Sequence, residues 1–264
     1  ESGFHNDAAH LAGSKPPILE YAQAFEYALR KFELDPEARN KVFGFNEEPK
    51  TLSETAAKKI LQRFTRRAWR GYRNEENNQV VWNAYQKQQK NKAPVPALLR
   101  AMKTALLSPA FIYRMETIKD QDTPYNISAY ELASRLSYFL WASMPDEELF
   151  SLAESGQLAK ESVLSAQIDR LLNSPKRLSL AEDFAGQWLG FSEIVSNRVF
   201  YRNQNWNRGV YDEVLFFFDE LIRSDRSILE IIDSDWIYQS NYTGVRAGGS
   251  NTTLPPRYED IFKW

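Results

Sequence analysis

ELASRLSYFLWASMPDEELFSLAESGQL, residues 131–158, is the stretch whose reading decides the fold. Apolar residues recur there at helical spacing, with Leu132, Leu136, Phe139 and Leu140 forming one stripe. Ser128 and Glu131 have the S-x-x-E spacing of a capping box, in which each side chain satisfies an orphaned amide of the first turn. Ser143, Pro145 and Asp146 repeat a start signal, and Gly156 marks the end of the second helix. The acids Asp146, Glu147 and Glu148 then complement a helix dipole. Glu131 and Arg135 are spaced as an i, i+4 ion pair. Arg135 and Trp141 are the two residues of the stretch that capping does not explain, and both are candidate ligand contacts.

The same periodicity runs through the rest of the chain. On the amino-terminal side, Ile18, Ala22, Phe25, Leu29 and Phe32 share a stripe behind Pro16-Pro17. Ser53 caps a helix carrying Ala57, Ile60, Leu61, Phe64 and Ala68 inward, with Arg63, Arg66, Arg67 and Arg70 on much of its other face. Val81, Trp82 and Tyr85 mark a weaker helix. Leu98, Leu99, Met102, Ala105 and Leu106 mark another, and Ser108-Pro109 begins a further one. Downstream, Val163, Leu164, Ile168, Leu171 and Leu172 predict a helix near 160–173. Ser174-Pro175 opens a helix with Leu178, Ala181, Phe184, Ala185, Trp188 and Leu189 inward. Tyr211, Val214, Leu215, Phe218, Leu221 and Ile222 are in phase over 210–223. Only 235–244, DWIYQSNYTG, alternates like a strand. The expectation is an all-α protein of about eight to ten helices in a bundle-like architecture, without an internal repeat.

Composition narrows the chemistry. The 264 residues include no cysteine, which excludes disulfides, thiolate metal sites and haem attachment through C-x-x-C-H in these residues. His5 and His10 are the only histidines, so a histidine triad or metal site would have to draw on the amino-terminal end. A net charge of −2 gives no broad footprint for nucleic acid. No run of apolar residues is long enough to span a membrane, and the start lacks the features of a signal peptide. Both termini read as cuts in a longer protein. There is no glycine-rich phosphate loop and no G-x-S-x-G elbow, and the three N-x-S/T sequons are too short a pattern to carry weight.

The best local candidate for binding is 196–211, SNRVFYRNQNWNRGVY, read as an irregular loop. Tyr201 and Trp206, with Phe200 and Tyr211, alternate with Arg202, Arg208, Asn203 and Asn205. Aromatic faces beside amide and guanidinium donors fit a polar ligand such as a carbohydrate. The competing reading is a loop that folds its own aromatics onto the helices.

Three motifs in order, ELASRLSYFLW, MPD and FAGQWLG, resemble a large bacterial family of unknown function. That family is known from planctomycete-type multidomain proteins that carry a c-type cytochrome module. ILQRFTRRAWR and ALLSPAFIYRME are similar to the short helical domain that precedes it, although RRAWRGYR lacks the proline expected after its arginines. The resemblance sets 1–52 as the tail of an upstream helical domain and linker, 53–118 as the short helical domain, and 125–245 as the main one. Residues 246–264 would start a following segment. It implies an exported, periplasmic or cell-envelope protein in which this chain is a helical scaffold or docking module. It also implies haem c on another segment, further domains of the same polypeptide as partners, and a redox partner protein. It carries over no catalytic residue. The alternative is a carbohydrate-binding module using 196–211, and a stand-alone hydrolase is the weakest reading.

Overall fold

The computed structural model describes residues 17–45, 49–72, 74–89, 93–116, 123–195 and 204–238. Its helices are α1 (Ile18–Leu34), α2 (Pro36–Phe43), α3 (Glu54–Ala68), α4 (Glu75–Gln89), α5 (Pro94–Leu106) and α6 (Pro109–Ile112). They continue with α7 (Ala129–Trp141), α8 (Glu147–Glu154), α9 (Glu161–Leu172), α10 (175–188), α11 (Gln204–Arg223) and α12 (Glu230–Asp233). No strand occurs among the described residues, so the chain is all-α. Residues 235–238 are irregular rather than extended into a ladder, and 239–244 lie outside the described residues. The chain divides into two compact units, Lys15–Glu131 and, among the described residues, those from Leu132 onward.

In the first unit α3, α4 and α5 enclose a core of Ala57, Ile60, Leu61, Val81, Tyr85, Leu98 and Met102. Ser53 caps α3 by accepting the Ala56 amide at 3.2 Å, and Asp35 caps α2 through the amides of Glu37 and Ala38. Each such cap satisfies a donor that the helix cannot satisfy itself, at roughly 1 kcal/mol. Ser108 takes the N-cap position of α6 with Pro109 next to it, yet its hydroxyl makes no capping bond. α1 buries no residue fully; Leu29 and Phe32 pack on the core from its edge, while Ile18 is 43% exposed.

Arg70 departs from the surface face expected for it. It is buried, with a left-handed backbone (φ 54°), and its guanidinium donates to the carbonyls of Ala110 at 2.8 Å, Phe111 at 3.1 Å and Tyr113 at 2.5 Å. These are carbonyls at and beyond the end of α6, where the helix leaves acceptors unsatisfied. A cation at a helix C-terminus is also favoured by the dipole. Trp69, beside it, donates its indole N–H to the Ala105 carbonyl at 3.0 Å. The Arg63 side chain donates to the Val42 carbonyl. Arg63 and Arg70 of the basic face thus bind backbone of their own unit.

In the second unit the buried residues of α7 are Ala133, Ser134, Ser137, Leu140 and Trp141. Phe139 is 63% exposed, which corrects its place in the apolar stripe. The small serines, not the larger leucines, face inward at the middle of this helix. α10 and α11 pack through Leu178, Ala181, Ala185, Tyr211, Leu215 and Phe218.

Gly71 and Gly156 supply a matched test. Both have a left-handed φ, 80° and 69°, but a Cβ on Gly71 would lie 2.2 Å from the Tyr130 ring, whereas Gly156 has nothing within 4 Å. Gly156→Ala is expected to cost about 1 kcal/mol from backbone strain alone. Gly71→Ala adds a steric clash and is expected to cost about 2–5 kcal/mol. Urea unfolding of the two variants checks this, and equal losses would contradict the Tyr130 contact.

Candidate functional site

Trp141 ends α7 and is 6% exposed. Its indole N–H donates to the Leu171 carbonyl at 2.9 Å, one of the last carbonyls of α9. The Arg170 guanidinium lies 5.6 Å and the Lys176 ammonium 5.1 Å from the ring centroid. Aromatic rings attract cations through their quadrupole, by about 0.5–1 kcal/mol at partly exposed sites. Arg170 in turn forks onto Asp146, donating at 2.7 and 3.1 Å, and its Nε donates to Gln167 at 2.8 Å. Gln167 donates to Glu148 at 2.7 Å. Asp146 also accepts the Leu149 amide at 3.0 Å and so caps α8.

One connected network therefore ties the end of α7, the start of α8 and the end of α9. The start signal of the second helix resolves onto Asp146. The capping box is formed: Ser128 N–H donates to Glu131 at 2.6 Å and Glu131 N–H to Ser128 Oγ at 3.2 Å. Arg135 is exposed on α7, one turn beyond Glu131. Sequence reasoning singles out Trp141 but misses Arg170, Gln167 and Lys176, which lie far from it along the chain.

The 196–211 stretch is not one loop. Residues 204–211 are the first turns of α11, which corrects the irregular reading for that half. The i, i+4 pair Arg208–Asp212, at 3.0 Å, is a helical signal that the surrounding Asn and Arg residues masked. Tyr201 and Arg202 lie outside the described residues, and of Trp206 only the helical backbone is described. Arg208 lies 5.4 Å from the Tyr211 ring centroid.

Between α10 and α11 runs a polar seam. Tyr211 donates its hydroxyl to Glu182 at 2.9 Å, and Phe191 meets the Tyr211 ring edge-on at 5.5 Å. Arg177 and Asp219 form an ion pair at 2.7 Å with both side chains largely buried. Burial and the Glu182 carboxylate push the Tyr211 phenol well above its ordinary value, so it remains a proton donor. Burial also pushes the Asp219 carboxyl up, against the pull of the Arg177 guanidinium. Asn207 is 3% exposed and its Oδ1 has no hydrogen-bond partner. Tyr211, Asp212 and Asp219 of the seam are all buried.

α10 contains a π turn at Ala181–Ala185, within AEDFAGQW. Such a turn adds a residue and rotates the helix beyond it by roughly 100°. Phe184, Trp188 and Leu189 are 39%, 49% and 39% exposed, which corrects a fully inward assignment, although Phe184 and Trp188 still meet Phe218 of α11 at 6.4 and 6.5 Å. Phe184 and Trp188 stack at 5.6 Å. Nearby, Leu189, Phe217, Phe218, Ile232 and Trp236 line a groove of about 380 Å³. Among the described residues no group of three or more His, Cys, Asp or Glu is placed to hold a metal ion. No helix among them is long and apolar enough to cross a membrane.

The network around Trp141 has a defined acid response. Burial pushes the Asp146 carboxyl up, but the Arg170 guanidinium, the Leu149 amide and the Lys176 charge outweigh it and hold the carboxyl below its usual range. Its stabilisation is complete above the unfolded value of about 4 and is lost as pH falls through the lower folded value. Asp146→Asn is expected to reduce stability at pH 7 and to flatten the loss between neutral and acid pH. Thermal unfolding across that range measures both, and an unchanged acid slope would remove Asp146 from the response. Trp141→Phe keeps a ring but leaves the Leu171 carbonyl unsatisfied, at about 1–2 kcal/mol.

Comparison with known proteins gives two matches. Residues 127–243 match the family described as PSD4, protein of unknown function (DUF1592). Residues 56–116 match that described as PSD5, protein of unknown function (DUF1595). No curated protein and no solved structure matches this chain. Residues 127–243 are thus similar to DUF1592 and residues 56–116 to DUF1595, both known as planctomycete cytochrome-c-associated domains of unknown function.

Proposed function

We propose that this chain is a helical docking module of an exported multidomain protein linked to a c-type cytochrome. The observation that carries the reading is the aromatic and aliphatic surface of the second unit, with Phe184, Trp188, Leu189, Leu229 and Ile232 all exposed. Exposed apolar residues that lie together mark interaction surfaces, whereas scattered ones do not. Several ionisable groups of the same unit are by contrast drawn into internal partnerships, as at Asp146–Arg170, Glu182–Tyr211 and Arg177–Asp219. Such groups position helices; none is an accessible base beside a nucleophile.

Two adjoining domains of cytochrome-associated type support the multidomain context. With no cysteine in the chain, haem c would be attached on another segment or on a partner. Periplasmic redox work would then be done there, with this module holding the donor or acceptor in place. Among the described residues nothing favours the carbohydrate alternative, since Arg208 is engaged by Asp212 and Tyr211.

The test uses the polypeptide encoded by the complete reading frame. Its absorbance near the haem Soret band is expected to report haem. Cross-linking with subsequent peptide mapping is expected to join the Trp188 side of this module to another domain or to a haem protein. A polypeptide without haem that also yields no such cross-link would overturn the reading.

A further inference from the structure

The segment between α11 and Tyr238 carries an asymmetry that the fold does not require. Ile228, Leu229, Ile232 and Ile237 are exposed, by 53%, 63%, 87% and 43%. They border the groove lined by Phe217, Phe218, Ile231 and Trp236, where Phe217 and Trp236 stack at 4.4 Å. Both arginines of the segment are already neutralised. Arg223 donates to Glu220 at 2.9 Å, and Arg226 donates to Glu230 at 2.8 Å while lying 4.8 Å from the Trp236 ring centroid. Asp225, Asp233 and Asp235 are exposed and have no ion-pair partner among the described residues.

The groove thus has two uncompensated carboxylates beside it, Asp233 and Asp235 next to its lining residues Ile232, Ser234 and Trp236, with no uncompensated cation on the same segment. That sign decides among occupants. An anionic lipid surface or a nucleic acid would be repelled by these carboxylates. A second copy docking by two-fold symmetry would bring the same acidic patch against itself. A segment with apolar residues on one side and lysines or arginines on the other meets both features at once.

We propose that this groove binds a basic amphipathic helix of a partner protein. Its apolar residues enter between Phe217, Ile232 and Trp236, and its basic residues face Asp233 and Asp235. The inference deepens the docking reading and rests on it, because it names the chemistry of the partner.

The probe is a fluorescein-labelled Leu/Lys peptide of about 18 residues with leucines at i, i+3, i+4 and i+7. Its twin carries Glu at every Lys. Fluorescence anisotropy on the 264-residue chain is expected to show binding of the Lys peptide alone. That binding should weaken about tenfold between about 50 and about 200 mM salt. Asp233→Asn/Asp235→Asn should weaken it about tenfold, mainly in the association rate. Ile232→Ser should weaken it about tenfold through faster dissociation. These side chains are exposed, so the variants keep the fold, and unchanged unfolding midpoints verify that.

Equal binding of both peptides, or no effect of either variant, would overturn the proposal. So would self-association that Ile232→Ser abolishes, or binding to vesicles of anionic phospholipid in place of the peptide. If the peptide fails while the complete polypeptide still cross-links through the Trp188 side, this inference falls and the docking reading stands. If the peptide binds but neither haem nor cross-links are found, the docking reading falls, and with it the partner named here.

Discussion

The Asp146 carboxylate performs two tasks with one side chain, and the amino-terminal half of the second unit depends on it. It accepts the Leu149 amide, which starts α8, and it receives both guanidinium nitrogens of Arg170, which fixes the end of α9. Arg170 is then held close to Trp141, whose indole N–H closes on the Leu171 carbonyl. Three helix ends are brought to one place, each with end groups that need partners. Exposed ion pairs stabilise little because water solvates both partners well. Here a single pair also orders a cap, an amide and an aromatic ring, so its members are coupled and their losses on substitution would not add.

How far the sequence can be read depends on the range of each interaction. Caps are local, and Ser53, Ser128 with Glu131, and Gly156 stand where their spacing places them. The all-α class is also local, since it rests on apolar spacing within single helices. Arg70 is not legible in this way. It ends a run of surface arginines, and only the distant carbonyls of Ala110, Phe111 and Tyr113 give it a buried role. Trp141 stands out in the sequence as unexplained, but its partners at 170, 171 and 176 become neighbours only after α9 has packed.

The π turn in α10 shows a different kind of failure. A period of 3.6 residues assigns Phe184 and Trp188 to the same inward face as Leu178 and Ala181. The π turn breaks that phase, and the two rings sit part-exposed at the edge of the α10–α11 contact, against Phe218. Nothing in residue type separates such a turn from regular helix, so periodicity reads straight through it. Glu182, in the same turn, accepts from the Tyr211 hydroxyl, which binds α10 to α11 through a part-buried polar contact.

Phe184 and Trp188 both lie against Phe218 of α11, with centroids at 6.4 and 6.5 Å, yet remain 39% and 49% exposed. The packed face instead holds alanines at 181 and 185, which let α10 approach α11 closely. Two large rings left part-exposed beside a packed contact depart from the rule that such groups are buried. Sites that break local rules in this way are where function is expected to reside. The exposed carboxylates at 233 and 235 belong to the same argument, since neither has an ion-pair partner among the described residues, whereas Asp225 ends α11 in a left-handed backbone.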